Sequence, residues 1–188
     1  MRYFIGALIV LVLFFAGSLA YRLGVHKSVE MSLTQEGPYL ILYKEHRGAY
    51  HKTAPVIGEV ETWAKAHQLD CHQTFGQYFD HPELVEESRL RSYAGCVVTA
   101  SQESFLSLLE KNPPPPDYKN QSVEKRKYVK AIFSGSPAIG PWKVYSKAEQ
   151  YMREGRLVPD GAVIEIYEIQ SPEAMTTTYL FPVKNLEN

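Results

Sequence analysis

The chain has 188 residues, of which 45% are hydrophobic and 22% are charged, the proportions of an ordinary globular domain. This balance excludes a disordered chain, a collagen-like repeat and a small disulfide-rich scaffold. Twenty basic residues against twenty-one acidic ones give a net charge of −1. Because nucleic-acid-binding proteins normally carry a basic surplus, we expect no nucleic-acid partner.

The N-terminal segment contains nineteen successive residues without a charge, 3–21, between Arg2 and Arg22. A helix of this length is about 28 Å long, close to the roughly 30 Å of a bilayer's hydrocarbon core. The sequence therefore predicts a single-pass membrane anchor over residues 1–24. A cleaved signal peptide is the alternative, because small residues up to Ala20 have the spacing that a signal peptidase requires. Basic residues on the two sides nearly balance, which leaves the side of the membrane that holds the soluble domain open.

After a predicted polar connector at 25–37, the first half of the chain shows strand and helix patterns in a simple order. The apolar, β-branched and aromatic segments predict strands, and Thr53 is a candidate N-cap with Pro55 in the first helical turn. The predicted elements are a strand at 39–46, a helix from Thr53, and strands at 75–79 and 91–99.

The second half repeats this order after a short helix at 101–109 and a stiff proline linker, Pro113–Pro116. Its predicted elements are a strand at 128–133, a helix from Pro141, and strands at 163–169 and 177–183. In that helix, Trp142, Tyr145, Glu149 and Met152 are predicted to share one face.

The two halves also match residue by residue. Tyr78 and Tyr167 are 89 positions apart in similar strand segments. A repeat of this length indicates duplication of one supersecondary unit. We therefore expect an α+β domain at 38–188, made of two strand-helix-strand-strand modules (about 38–110 and 127–184) with pseudo-two-fold symmetry. Its helices should cover one sheet face and leave the other free to line a cleft.

The strongest candidate for chemistry lies in the strand 163–169. Its two-residue period places Glu165 and Tyr167 on one face and Ile164 and Ile166 on the other. The isoleucine face is expected to pack on the helices, so Glu165 should face the cleft. A desolvated carboxylate takes up a proton or pairs with a cation, and neighbouring aromatic rings favour a flat organic cation. The alternative is a solvated glutamate at the rim.

Three segments resemble the GyrI-like, or effector-binding, domain family, which includes the multidrug-sensing half of some bacterial transcription activators. They are Lys44–Tyr50, Tyr78–Glu83 with Ala94–Gly95 downstream, and Val163–Tyr167. The resemblance covers Pro38 to Lys184 and implies two strand-helix-strand-strand modules around a ligand pocket.

The resemblance also implies roles for particular residues. Glu165 matches the acidic residue at the base of the pocket that neutralises cationic ligands, and Tyr167 is the aromatic residue of the same motif. Trp142, Tyr145 and Tyr179 are expected wall residues, because the predicted helix and strands bring them to this side. The expected function is binding of a small amphipathic or cationic ligand, without a cofactor, a metal or a catalytic residue.

Two other functions stay open. Some family members resemble hydrolases of cyclopropane-type electrophiles, and Glu165 would then act as a general base. Glu168 points to the opposite face, which argues against a pair of catalytic carboxylates. A membrane-tethered adaptor with a protein partner is the third possibility. Cys71 and Cys96 lie at facing ends of a predicted hairpin, where they form a bridge if the domain is exported and stay free thiols if it is not.

Overall fold

The structure is a computed structural model that describes residues 2–171 and 174–186. Its helices are α1 (Arg2–Leu23), α2 (Thr53–Ala66), α3 (Gln102–Lys111) and α4 (Gly140–Glu154). Its strands are β1 (Glu30–Glu36), β2 (Tyr39–Arg47), β3 (Gln73–Tyr78), β4 (Arg91–Val98), β5 (Tyr118–Val123), β6 (Arg126–Phe133), β7 (Leu157–Pro159), β8 (Val163–Ser171) and β9 (Ala174–Asn185).

The described strands form a nine-stranded antiparallel sheet in the order β1-β6-β9-β8-β3-β4-β2-β5, with β7 paired to β9. Both predicted modules are present, as β2-α2-β3-β4 and β6-α4-β8-β9. The α+β fold with one N-terminal apolar helix is therefore confirmed. The modules join at the centre of the sheet, where β3 pairs with β8. Their pseudo-two-fold symmetry stays a prediction.

The strands β1, β5 and β7 correct the sequence analysis, which predicts no strand at these places. The stretch 25–37, expected to be a connector, contains β1, which pairs with β6. The polar stretch after the prolines contains β5, which pairs with β2. Both are edge strands with mostly exposed side chains. Their formation depends on backbone pairing with a neighbour, so they lack the hydrophobic alternation by which strands are recognised.

Helices α2 and α4 pack on the same face of the sheet, but the isoleucines of β8 do not contact them. Leu42 faces α2, and its neighbours Ile41 and Tyr43 point to the opposite face. Ile164 and Ile166 pack with these neighbours in a separate apolar cluster. The expectation that the isoleucine face supports the helices is therefore wrong. The sheet buries apolar residues on both of its faces, which an alternating pattern alone does not reveal.

Helix α1 is exposed along its length, and its window Tyr3–Leu23 has a mean hydropathy of 2.4. Its length and composition are sufficient to cross a membrane, and a signal sequence near an N-terminus has the same properties.

A disulfide bond joins Cys71 to Cys96, whose Cα atoms are 5.4 Å apart. Cys96 lies opposite Thr74 in the β3–β4 ladder, and Cys71 lies two residues before β3, so the strand register brings the two thiols together. Both residues are buried beneath α2. The bridged alternative from the sequence analysis is the one present in the structure.

We expect reduction of this bond to destabilise the domain. The bond closes a loop with a sequence separation of 25. Loss of the loop constraint costs about 3 kcal/mol, or roughly 10 °C in melting temperature for a domain of this size. Thermal unfolding with and without a thiol reductant measures the effect. The double variant Cys71→Ala, Cys96→Ala is the control and should not respond to the reductant. An unchanged wild-type melting temperature after complete reduction would contradict the expectation.

Candidate functional site

Glu165 lies in the middle of the sheet, with only 5% of its surface exposed. It is opposite Gly76 on β3 and Tyr179 on β9 in the strand register. Tyr179 packs with residues of α4, so Glu165 lies on the face of the sheet that carries the helices. The expectation that Glu165 faces a cleft on the helix-free side is therefore wrong, and so is the alternative of a solvated rim glutamate.

Tyrosine hydroxyls surround the carboxylate of Glu165. Tyr145 of α4 donates a hydrogen bond to Oε1 at 2.9 Å, and Tyr167 of β8 donates one to Oε2 at 3.0 Å. The hydroxyl of Tyr78 lies 2.9 Å from that of Tyr167. Because Tyr167 gives its proton to Glu165, Tyr78 is the donor between these two tyrosines. We call Glu165, Tyr78, Tyr145, Tyr167 and Tyr179 the tyrosine cluster.

The local sequence explains how these side chains meet. Val144, Ala148 and Met152 form the buried face of α4, and Tyr145 follows Val144 at the edge of this face, where it reaches across to β8. Gly76 provides room for Tyr78, because a Cβ atom at residue 76 would collide with the tyrosine ring. A glycine opposite the glutamate is therefore part of the site's construction.

Burial determines the electrostatics of the cluster. Loss of hydration raises the pKa of Glu165 to about 7, against the lowering effect of the hydrogen bonds from Tyr145 and Tyr167. Burial and the nearby carboxylate also raise the pKa of Tyr78 to about 12. They raise the pKa values of Tyr145 and Tyr167 well above the usual range for a phenol. The tyrosines therefore stay protonated as donors, and among described residues no lysine, arginine or histidine pairs with Glu165.

Four of the five predicted site residues lie together. Tyr179 is fully buried next to Glu165, and among the described residues its hydroxyl has no hydrogen-bond partner. Its hydroxyl lies beneath Gly140, at the first residue of α4. Trp142 is the exception, because 76% of its surface is exposed. The helical face predicted from Trp142 to Met152 is wrong, since the face that is buried runs through Val144 instead.

Tyr78 is the functional candidate that the sequence analysis missed. Tyr78 and Tyr167 are the tyrosines 89 residues apart in the sequence repeat, and in the structure their hydroxyls are hydrogen-bonded. No group of three metal-ligating residues occurs in the ranges that the structure describes. A surface depression of about 420 Å³, lined by residues that include Tyr39, Gln73 and Val97, shares no residue with the tyrosine cluster.

Several solved structures have the same fold at low sequence identity. The EcmrR C-terminal domain has a TM-score of 0.60 and 19% identity, covering 85% of this chain and 99% of that one. EcmrR in a complex with DNA has a TM-score of 0.64 and 13% identity, covering 98% and 68%. A hydrolase from Listeria innocua has a TM-score of 0.52 and 14% identity, covering 82% and 92%. SAV2435 bound to tetraphenylphosphonium has a TM-score of 0.51 and 16% identity, covering 84% and 96%.

These identities show a shared fold alone, so the expectation of no nucleic-acid partner stays a prediction. No curated protein matches the sequence. The family model described as the GyrI-like small molecule binding domain matches residues 30–184, which is most of the chain and includes every strand apart from the last residue of β9. The chain therefore belongs to the GyrI-like small-molecule binding domain family.

Proposed function

We propose that this chain binds a small organic cation at Glu165 and is held at a membrane by α1. The observation that carries the proposal is a buried carboxylate whose hydrogen-bond partners, within the described residues, are tyrosine hydroxyls and not a cation. A carboxylate in this position is costly to ionise, which is expressed in its raised pKa. A bound cation would supply the missing opposite charge.

The surroundings of Glu165 favour a lipophilic cation over an inorganic one. Tyr145 makes edge-to-face contacts with Tyr179 and Phe181, so aromatic rings line this side of the carboxylate. Ring faces attract organic cations most strongly where water is excluded. The carboxylate is buried, so a ligand must displace neighbouring side chains such as Tyr145, which contacts it directly. SAV2435, which shares the fold, is bound to tetraphenylphosphonium, a cation of this class.

Titration of the full chain with tetraphenylphosphonium tests the proposal. In detergent at pH 8, we expect saturable binding, and Glu165→Gln should weaken it at least about tenfold because it removes the charge that pairs with the cation. Glu168→Gln is the matched control, since Glu168 lies on the same strand but is exposed and points to the other face. Neutral triphenylphosphine oxide should bind both variants and the wild type equally weakly.

Equal affinity of the Glu165→Gln and Glu168→Gln variants for the cation would overturn the proposal. Complete absence of binding by a folded wild-type chain would do the same. Either result would favour the third possibility, a membrane-tethered adaptor for a protein partner, whose function does not require Glu165.

Hydrolysis is a second candidate function, favoured by the pKa of Glu165. A carboxyl group with a pKa of about 7 suits a general base that activates water near neutral pH. Glu168, the nearest acidic residue along the strand, is exposed on the opposite face and cannot act with it. Incubation with a cyclopropane-containing electrophile, followed by mass spectrometry, distinguishes the functions: turnover lost in Glu165→Gln would indicate a hydrolase.

The proposed membrane layout places the domain on an exported side. Disulfide bonds persist in oxidising compartments, and the Cys71–Cys96 bond lies in the core of the first module. The N-terminus before α1 would then stay in the cytosol. This arrangement, an apolar helix followed directly by the domain, is similar to that of the testis-expressed reticulophagy receptor, a membrane-anchored member of the family.

A further inference from the structure

The end of α1 is fixed to the beginning of α4. The Lys143 ammonium group donates a hydrogen bond to the carbonyl oxygen of Val25 at 2.6 Å and another to that of Lys27. The backbone amide of Ser136 donates to the carbonyl oxygen of Leu23, the last residue of α1, at 3.0 Å. Carbonyl groups at a helix C-terminus lack partners within the helix, and a cation there also complements the helix dipole. These hydrogen bonds hold the start of α4 beside the C-terminal end of the apolar helix.

The surface at this junction has the composition of a membrane interface. Neither residues 1–29 nor residues 131–148 contain an acidic side chain. Arg22 in the last turn of α1 and Lys27 just after the helix add positive charge. Trp142 is 76% exposed and directly precedes Lys143 in the chain. Exposed tryptophan and basic residues beside an apolar span are typical of the headgroup region, where the indole ring is amphipathic and cations meet anionic lipids.

We propose that the first turn of α4 rests on the phospholipid surface of the membrane that α1 spans, with Trp142 inserted among the headgroups. This inference rests on the membrane anchoring that forms part of the proposed function. It explains why a large apolar side chain that the sequence places in the ligand pocket is instead exposed on the outside of α4. The surface it occupies is continuous with α1 through the contacts of Lys143 and Ser136.

The docked surface adjoins the tyrosine cluster. Tyr145, which covers Glu165, follows Trp142 by three residues in α4, and Gly140 packs over the hydroxyl of Tyr179. A lipophilic cation concentrates at an anionic membrane surface. It would therefore arrive beside Tyr145, which contacts Glu165, so the membrane becomes the source of the ligand.

Lipid quenching of tryptophan fluorescence tests this docking. The chain has two tryptophans, so Trp63→Phe leaves Trp142 as the only indole. In nanodiscs of phosphatidylcholine and phosphatidylglycerol, lipids brominated just below the headgroup should lower Trp142 fluorescence by about half, as expected for an interfacial indole. The converse variant Trp142→Phe retains Trp63, which packs between His67 and Tyr118, and its fluorescence should not change.

A second pair of variants tests the role of the α1–α4 contact. Lys143→Met removes the hydrogen bonds to Val25 and Lys27, in the turn that follows α1, and should reduce the quenching of Trp142. Lys147→Met, which removes an exposed lysine one turn later, should leave it unchanged. The docking would be overturned if brominated lipid left the fluorescence of Trp142 unchanged and aqueous iodide quenched it as strongly as in detergent. Failure of the chain to insert into the nanodiscs would also overturn it.

Titration with tetraphenylphosphonium in the same nanodiscs separates this inference from the proposed function. Binding that depends on Glu165, without lipid quenching of Trp142, overturns the docking and leaves the ligand site standing. Lipid quenching without binding that depends on Glu165 supports the docking and overturns the ligand site.

Discussion

The affinity of the wild-type chain for tetraphenylphosphonium is expected to fall about 100-fold between pH 8 and pH 5, because only the ionised form of Glu165 pairs with the cation. The ligand has a permanent charge and does not titrate in this range. Burial raises the pKa of Glu165 to about 7, so the carboxylate predominates at pH 8. Below the pKa, each further fall of one pH unit lowers the ionised fraction of Glu165 about tenfold and weakens binding by the same factor. Isothermal titration at several pH values gives the midpoint directly.

Two controls make this pH dependence specific to the tyrosine cluster. Tyr145→Phe removes a donor that stabilises the carboxylate, so the pKa of Glu165 rises further and the midpoint moves to higher pH. Tyr151→Phe, on the same helix but without a hydrogen bond to Glu165, should leave the midpoint unchanged. Affinity that is independent of pH in the wild type would show that the carboxylate is not the partner of the cation.

The sequence is sufficient to predict the elements with strong hydrophobic patterns. The strand Val163–Ser171 and helix Gly140–Glu154 are found close to their expected positions. Edge strands such as Glu30–Glu36 could not be recognised, because their stability comes from backbone bonds to a partner distant in sequence. Long-range pairing of this kind leaves little trace in the side-chain pattern of the strand itself.

In the candidate site too, the features set by local sequence are predicted correctly and those set by the whole fold are not. Glu165 and Tyr167 were assigned to one strand face because alternation is a local property, and this assignment agrees with their hydrogen bond. Which face carries the helices is a global property, and the prediction is wrong because both faces of the sheet bury apolar residues. Trp142 was misplaced for a related reason: a helix fixes which residues share a side, but not which side the sheet covers.

Glu165→Gln should stabilise the unliganded chain at pH 8 by about 2.5 kcal/mol relative to its effect at pH 5, because it removes a buried charge. The pKa of Glu165 is about 7 in the folded chain and 4.5 as the ordinary value for a glutamate. Between these two values the folded chain holds a proton that the unfolded chain has lost. The free energy of unfolding of the wild type therefore falls as pH rises through this window and is constant above it. Glutamine does not titrate, so the variant lacks this loss.

Thermal unfolding of both chains at pH 5 and pH 8 measures this difference, and comparing the two pH values cancels the constant effect of the amide. For a chain of this size, about 2.5 kcal/mol corresponds to a melting temperature higher by roughly 8 °C at pH 8. For Glu168→Gln, whose substituted side chain is exposed, the stability difference from the wild type should be the same at both pH values. Saturating tetraphenylphosphonium should raise the melting temperature of the wild type at pH 8 by more than that of the variant, because the cation compensates the charge that destabilises the site. Equal stability differences at the two pH values would mean that Glu165 ionises in the folded chain as readily as in water, which removes the reason for a cation to bind there.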